Sequence, residues 1–126
     1  MSSDYELRVK FLDAQDAYQR LDSGEVSSRD YDYQEYVLST IVEFNECETL
    51  IRTNSIFSKN EEADDFNTED LAFVLVHYYL GKLHLLLTNE RLNNIKRSKI
   101  HLSIFLDICN KTKLGEFISK YIYLKN

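Results

Sequence analysis

The chain has 126 residues, 44% of them hydrophobic and 29% charged, a composition that indicates one globular domain over residues 1–126 and excludes a disordered or fibrous chain. Proline is absent and only three glycines occur, which favours long helices with few shaped turns. The net charge of −6 and a pI of about 5.0 argue against nucleic acid as a partner.

The acidic and basic side chains are distributed unequally along the chain. Residues 1–70 contain 18 acidic and 6 basic side chains, a net charge of −12, whereas residues 71–126 contain 3 acidic and 9 basic ones, a net charge of +6. Two interpretations fit this asymmetry. The two halves attract each other during folding, or the basic part of the chain faces an acidic partner.

Two long amphipathic helices are predicted in the first half. The first runs from about Asp4 to Leu21 and is ended by Ser23–Gly24, because its apolar residues are spaced three and four apart: Leu7, Phe11, Ala14, Tyr18 and Leu21. The second begins near Asp30 and continues toward Phe57, with an apolar stripe formed by Tyr33, Val37, Ile41, Phe44, Cys47 and Ile51.

An acidic loop from Lys59 to Asn67 precedes a third predicted helix, which covers about Thr68 to Thr88. Asn67 or Thr68 is a suitable helix cap. The helix is apolar on nearly every side, so it is expected at the buried centre of the fold. Gly81 is costly inside a helix, and its presence predicts that another helix crosses there at close range.

The fourth predicted helix covers about Leu92 to Asn110, after a turn over Asn89–Asn94 in which asparagine suits the left-handed backbone conformation. Two apolar faces predict that this helix is packed from two sides: Leu102, Phe105 and Cys109 on one, and Ile100, Ile104 and Ile108 on the other. A short fifth helix is expected after Gly115, with Phe117, Ile118, Tyr121 and Ile122 as its apolar residues.

These elements predict an all-α fold of about five helices. Consecutive helices joined by short turns pack as antiparallel helical hairpins. A degenerate, tetratricopeptide-like right-handed array and a single helical bundle both fit, because the helix lengths suit such an array although no 34-residue repeat is visible.

The sequence offers little that indicates catalysis, so the chain is interpreted as a non-enzyme without cofactor or metal. His77 and His84 lie on one helix face but about 10 Å apart along its axis, too far to share a metal comfortably, and His101 is interpreted like them as a residue between core and surface. Cys47 and Cys109 lie on apolar stripes, which does not favour a reactive thiol. The acidic loop lacks the central glycine of an EF-hand.

No apolar run is long enough to span a membrane and no signal peptide is recognised, so a membrane is not expected as a partner. Reduced thiols in the cytoplasm, with the nucleus as a further location, are the expectation from the cysteine content.

Two stretches carry a family signature. The first contains Phe57-Ser58-x-Asn60-Glu61, Asp64-Asp65, Thr68 and Tyr78-Tyr79-Leu80-Gly81-x-Leu83, and the second, Arg97 to Cys109, contains Phe105-Leu106. Over roughly residues 31–117 the chain resembles the phosphatase-binding domain of the TAP-forty-two/alpha-four family, regulators of type 2A phosphatases in the TOR pathway. The signature residues are Phe57, Asn60, Asp65, Thr68, Tyr79, Gly81, Arg97 and Phe105.

The resemblance implies a tetratricopeptide-like domain that binds the catalytic subunit of a type 2A-like Ser/Thr protein phosphatase, without a cofactor and as a monomer. It also implies that the family's domain continues into further helices, a basic segment that contacts the phosphatase and an acidic tail. This chain, which ends at Asn126, has no residues to match them. Whether the chain is trimmed or is a naturally short homologue stays open. Whether it binds the phosphatase without the basic segment stays open as well.

Lys96 and Lys99 are the candidate contacts with the partner, because they lie three residues apart and project from one side of the fourth helix. Lys113 and Lys120 extend this basic surface if the last helix folds back beside the fourth, whereas Arg97 points elsewhere and is expected to pair with an internal carboxylate. An ordinary solubilising face is the alternative. A helical scaffold that binds another protein or peptide is the second functional interpretation, and an enzyme is the third.

Overall fold

A computed structural model describes residues 3–53 and 74–111 of the chain, and all regular structure in these two ranges is helical. The described ranges contain four helices: α1 (Ser3–Asp22), α2 (Tyr33–Thr53), α3 (Val76–His84) and α4 (Arg91–Lys111). The predicted all-α class is therefore confirmed. The predicted fifth helix, with Phe117 and its neighbours, lies outside the described residues.

Helices α1 and α2 form the first hairpin. The predicted apolar stripes of both helices are buried, with Phe11 of α1 packed edge-on against Phe44 of α2 at 6.2 Å between ring centroids. Helix α1 ends where the sequence predicts. Gly24 takes φ +83°, which suits glycine, and the backbone N–H of Ser23 donates to the carbonyl of Gln19 at 2.9 Å.

Helix α3 is largely buried, as its apolar sequence predicts, and it packs between α2 and α4. It is shorter than predicted, because Val74 and Leu75 before it form a turn. Tyr79 joins it to the first hairpin, because its ring lies 5.1 Å from that of Phe44 and 4.6 Å from that of Tyr18, measured between centroids. The Tyr79 hydroxyl accepts a hydrogen bond from Gln15 Nε2 at 2.9 Å. Each helix thus packs mainly on its neighbours in the chain, as in stacked helical hairpins.

Gly81 lies where α3 and α4 cross. A Cβ atom added there would be 2.7 Å from Leu102 Cγ and 3.2 Å from the carbonyl oxygen of Ser98, both on α4. The absence of a side chain therefore sets how closely the two helices approach, which confirms the predicted crossing.

Helix α3 ends at His84, four residues earlier than predicted. The side-chain amide of Gln34, on α2, donates to the carbonyl of Leu86 at 3.1 Å and accepts from the N–H of Thr88 at 3.0 Å. Arg91 donates to the carbonyl of Leu85 at 2.6 Å. These side chains form hydrogen bonds with backbone groups that would pair with each other in a longer helix. The helix therefore ends at His84 and the chain turns.

Two further expectations for this region are wrong. In the turn before α4, the residue with positive φ is Glu90, at +45°, and not an asparagine. Helix α4 is packed along one side only, because Ile100 and Ile104 of the second apolar face are exposed, Ile100 to 59%. Only Ile108 of that face packs against the core.

Candidate partner-binding surface

One side of α4 is fixed against α3 by buried residues. Asn94, Ser98 and Phe105 are buried, and they follow one another at spacings of four and seven along the helix. The ring of Phe105 packs against Tyr78 of α3, with 5.5 Å between centroids. This contact determines which residues of α4 face solvent.

The opposite side of α4 exposes Lys96 and Lys99 together with large apolar side chains. On this side the two lysines lie among large aliphatic side chains, with the polar residues Ser103 and Asp107 beside them. An apolar patch bordered by charge is found at protein contact sites. We call this side the α4 surface, and it consists of Leu92, Ile95, Lys96, Lys99, Ile100, Ile104 and Leu106.

The basic residues of the α4 surface are not neutralised by the acidic half of the chain within the described residues. The Lys and Arg ion pairs found there connect α1, α2 and the turn between them, such as Lys10 Nζ to Glu46 Oε2 at 2.9 Å and Arg52 Nε to Glu48 Oε1 at 2.7 Å. No described carboxylate pairs with Lys96 or Lys99. Attraction between the two halves through these lysines is therefore not seen in the described ranges.

The predicted site residues fall into three groups. Tyr79, Gly81 and Phe105 are buried, so they hold the helices together. Arg97 is exposed and pairs with no described carboxylate, so the expected internal partner is not found in the described ranges. Apart from Lys96 and Lys99, which are exposed on the α4 surface, the other predicted residues lie outside the described ranges: Phe57, Asn60, Asp65, Thr68, Lys113 and Lys120.

The structure also places the three histidines of the chain side by side between α3 and α4. The ring of His101, on α4, lies between those of His77 and His84, with centroid distances of 5.2 Å and 5.4 Å. His77 and His84 do not meet each other directly, and spacing along α3 alone does not indicate that His101 lies between them. The signal was Gly81, since it lies midway between the two α3 histidines and lets α4 approach there. We call these three residues the histidine column.

Hydrogen bonds fix the ends of the histidine column. Asn94 Nδ2 donates to the carbonyl of Asn89 at 2.8 Å, so its Oδ1 accepts from Nδ1–H of His84 at 2.8 Å. His77 and His101 approach each other through their Nδ1 atoms at 3.0 Å, where one nitrogen must donate and the other accept. At the other side of His77, Glu48 Oε1 lies 4.0 Å from Nε2.

The described residues offer no arrangement that resembles a catalytic or metal centre. In residues 3–53 and 74–111, no group of three His, Cys, Asp or Glu side chains is placed to hold a metal ion. Burial raises the pKa of the Cys47 thiol to about 12, which keeps it protonated and unreactive at neutral pH. None of the helices in the described part of the chain is long and apolar enough to cross a membrane.

Comparison with known proteins shows which proteins the chain is similar to. A PP2A regulatory subunit TAP46 from Oryza sativa is 36% identical over 69 residues, 54% of this chain and 16% of that protein. TAP46 of Arabidopsis thaliana is 33% identical over 72 residues, which are 56% of this chain and 18% of the relative. A serine/threonine-protein phosphatase 4 regulatory subunit from Caenorhabditis elegans, ppfr-4, is 38% identical over 61 residues, 46% of this chain and 19% of its own length.

These alignments span less than a fifth of each of the three relatives. No solved structure matches the chain. The model of the TAP42-like family, however, matches residues 7–123, which include all four described helices from Leu7 onward and both stretches of the signature. On this match the chain belongs to the TAP42-like family, as its signature residues indicate.

Proposed function

We propose that the chain is a non-catalytic regulatory protein that binds the catalytic subunit of a type 2A-like Ser/Thr protein phosphatase. Family membership and the names of the relatives, which are regulatory subunits of phosphatases 2A and 4, support a regulatory role. The absence of a catalytic arrangement among the described residues is compatible with it.

The observation that carries the proposal is the α4 surface. Lys96 and Lys99 are exposed without a described carboxylate partner, and exposed aliphatic side chains such as Ile100 and Leu106 lie beside them. An acidic patch of the catalytic subunit would complement the lysines, which would speed its encounter with the chain. The neighbouring aliphatic side chains would lose contact with water in the complex, which stabilises it after encounter.

The proposal extends to cellular context through the family. The protein acts as a monomer in TOR-linked signalling and keeps the phosphatase catalytic subunit outside its usual holoenzyme. It works in the cytoplasm, with the nucleus as a second location, where Cys47 and Cys109 stay reduced.

A capture experiment with purified proteins tests the proposal. The full 126-residue chain is immobilised and offered the catalytic subunits of phosphatases 2A and 4, with a Ser/Thr phosphatase of another class as the negative control. Retention of a type 2A-like subunit, but not of the control, is expected. Capture of none of them by the folded chain would contradict the proposal and leave a helical scaffold of another specificity.

A further inference from the structure

The histidine column contains three ionisable rings in a space that does not accommodate three charges. His84 is only 7% exposed, and His77 and His101 are half-buried. His101 stacks on His84 with 10° between the ring planes. Charges on His101 and on either neighbouring ring would therefore lie about 5 Å apart and partly out of water, where repulsion and desolvation both oppose them.

The contact between His77 and His101 restricts protonation further. Their Nδ1 atoms are 3.0 Å apart, so a single proton between them forms a hydrogen bond, whereas two protons would face each other. Full protonation of both rings breaks this hydrogen bond. Because His77 belongs to α3 and His101 to α4, breaking it removes one link between the two helices.

The groups around the histidine column differ in whether they stabilise or destabilise a charged imidazole ring. On α2, Glu48 favours a proton on His77, but Arg52 donates to both Glu48 oxygens and opposes it. Arg97, one turn before His101 on α4, and Lys82 on α3 are exposed cations. Asn94 and Ser98 of α4 are neutral. The described surroundings therefore contain one carboxylate, at one end, to stabilise up to three imidazolium ions.

We propose that the histidine column is an acid-sensitive latch, which holds α4 against α3 while its imidazoles are largely neutral and releases α4 as they take up protons. This regulatory role goes beyond the proposed function, since it concerns the packing of the chain itself and requires no partner.

The pKa values of His101 and His77 are consistent with a column that loses stability as the pH falls. Burial, with the neighbouring His77 and His84, lowers the pKa of His101 from 6.5 to about 4. Burial also lowers the pKa of His77, although Glu48 partly opposes this. The unfolded chain thus binds protons that the native chain excludes. The stabilisation by the column is complete above about pH 6.5 and is lost as the pH falls from there toward the native pKa values.

Urea unfolding of the full chain between about pH 7.5 and about pH 5.5 tests the latch, with wild type compared to His101→Gln. For each histidine excluded from protonation, the unfolding equilibrium constant is expected to rise about tenfold between about pH 7.5 and about pH 5.5. The His101→Gln variant should lose at least one such factor, because the central ring of the column is gone. An equal pH dependence in both proteins would overturn the proposal.

Glu43→Gln is the matched control. Burial and the neighbouring Asp13 and Glu46 raise the pKa of Glu43, so this carboxyl stabilises the native state as the pH falls, opposite in sign to the column. The control should keep the acid-induced loss of stability shown by the wild type. Loss of that dependence in Glu43→Gln would show that it does not arise from the column, and would contradict the latch.

Two measurements on the wild type keep the test decisive if His101→Gln does not fold. NMR titration of the imidazole Cε1–H signals should show His101 titrating well below pH 6.5, whereas three histidines titrating near 6.5 would overturn the proposal. Amide hydrogen exchange, corrected for the intrinsic rate at each pH, should show α4 losing protection before α1 and α2. Simultaneous loss in all helices would also contradict a latch at α3–α4.

Discussion

Single residues decide how closely the helices of this protein approach. Gly81 and Tyr79 both lie on α3, and they act in opposite ways. Gly81 provides space for α4, whereas Tyr79 fills the space between α1 and α2 with an aromatic ring. Both belong to the signature, so part of that signature is explained by packing and not by contact with a partner.

Replacing Gly81 tests the close approach of α3 and α4. Gly81→Leu is expected to destabilise the protein by about 1–3 kcal/mol, because the new side chain meets Leu102 and the backbone of Ser98. Gly81→Ala should fail to give the gain of about 1 kcal/mol that helix propensity provides at an open site. Thermal unfolding measures both, with Ser103→Leu on the exposed side of α4 as the control. Stabilisation by Ala, with no loss from Leu, would rule out the crossing.

The two cysteines are expected to differ in reactivity. Cys47 is fully buried and its pKa is raised to about 12, whereas Cys109 is half-buried and burial also raises its pKa. Because the thiolate is the reactive form, Cys109 should react first with a disulfide reagent, and Cys47 only when the chain opens. Absorbance at neutral pH, with and without urea, follows the two thiols. Equal rates in the native protein would contradict the burial of Cys47.

At the scale of elements, α4 is the helix for which the sequence prediction and the structure differ most. Its two apolar faces are equally regular in sequence, but one is buried against α3 and the other exposes Ile100 and Ile104. Periodicity predicts that a face is apolar, and it does not identify what covers it. Contacts with α3 distinguish the two, such as those of Phe105 with Tyr78 and of Leu102 at Gly81.

Substitutions on the two faces of α4 should have unequal effects on stability. Phe105→Ala is expected to cost about 3–5 kcal/mol, since it leaves a cavity against α3. Ile100→Ser should change the free energy of unfolding by no more than about 0.5 kcal/mol, as is usual for exposed positions. Urea denaturation measures both. A large loss from Ile100→Ser would show that this face is covered after all.

The sequence predicted α1 and α2 well, because their buried stripes and the glycine after α1 are local signals. It did not predict the end of α3. That end depends on Gln34, which bonds to Leu86 and Thr88 across more than fifty positions of sequence. The histidine column was missed for the same reason, since the approach of His101 follows from a helix crossing and not from spacing along one helix. At the candidate site, exposure of Lys96 and Lys99 was predictable from their place on α4.

At the scale of the whole molecule, the unequal distribution of charge along the sequence corresponds to different surfaces of the helical fold. The acidic residues of α1 and α2 pair with basic residues nearby, such as Arg20 with Asp16 and Arg52 with Glu48. The basic residues at the α4 surface are not used in this way within the described ranges. The chain therefore presents a basic and aliphatic helix face on a domain whose net charge is negative, which favours recognition of an acidic patch over general binding to polyanions.

The association rate between the full chain and a type 2A-like phosphatase catalytic subunit, recorded by surface plasmon resonance at two salt concentrations, tests the central claim most directly. Wild-type chain should bind, and Lys96→Glu with Lys99→Glu should lower the association rate about tenfold at low salt, because exposed charges act on encounter. Folding stability should change by less than about 1 kcal/mol. The control, Arg29→Glu with Lys82→Glu, makes the same change in net charge at exposed positions off the α4 surface and should retain most of the rate. Equal rates for the two double variants would show that the phosphatase docks elsewhere, and no binding by the folded wild-type chain would contradict the account as a whole.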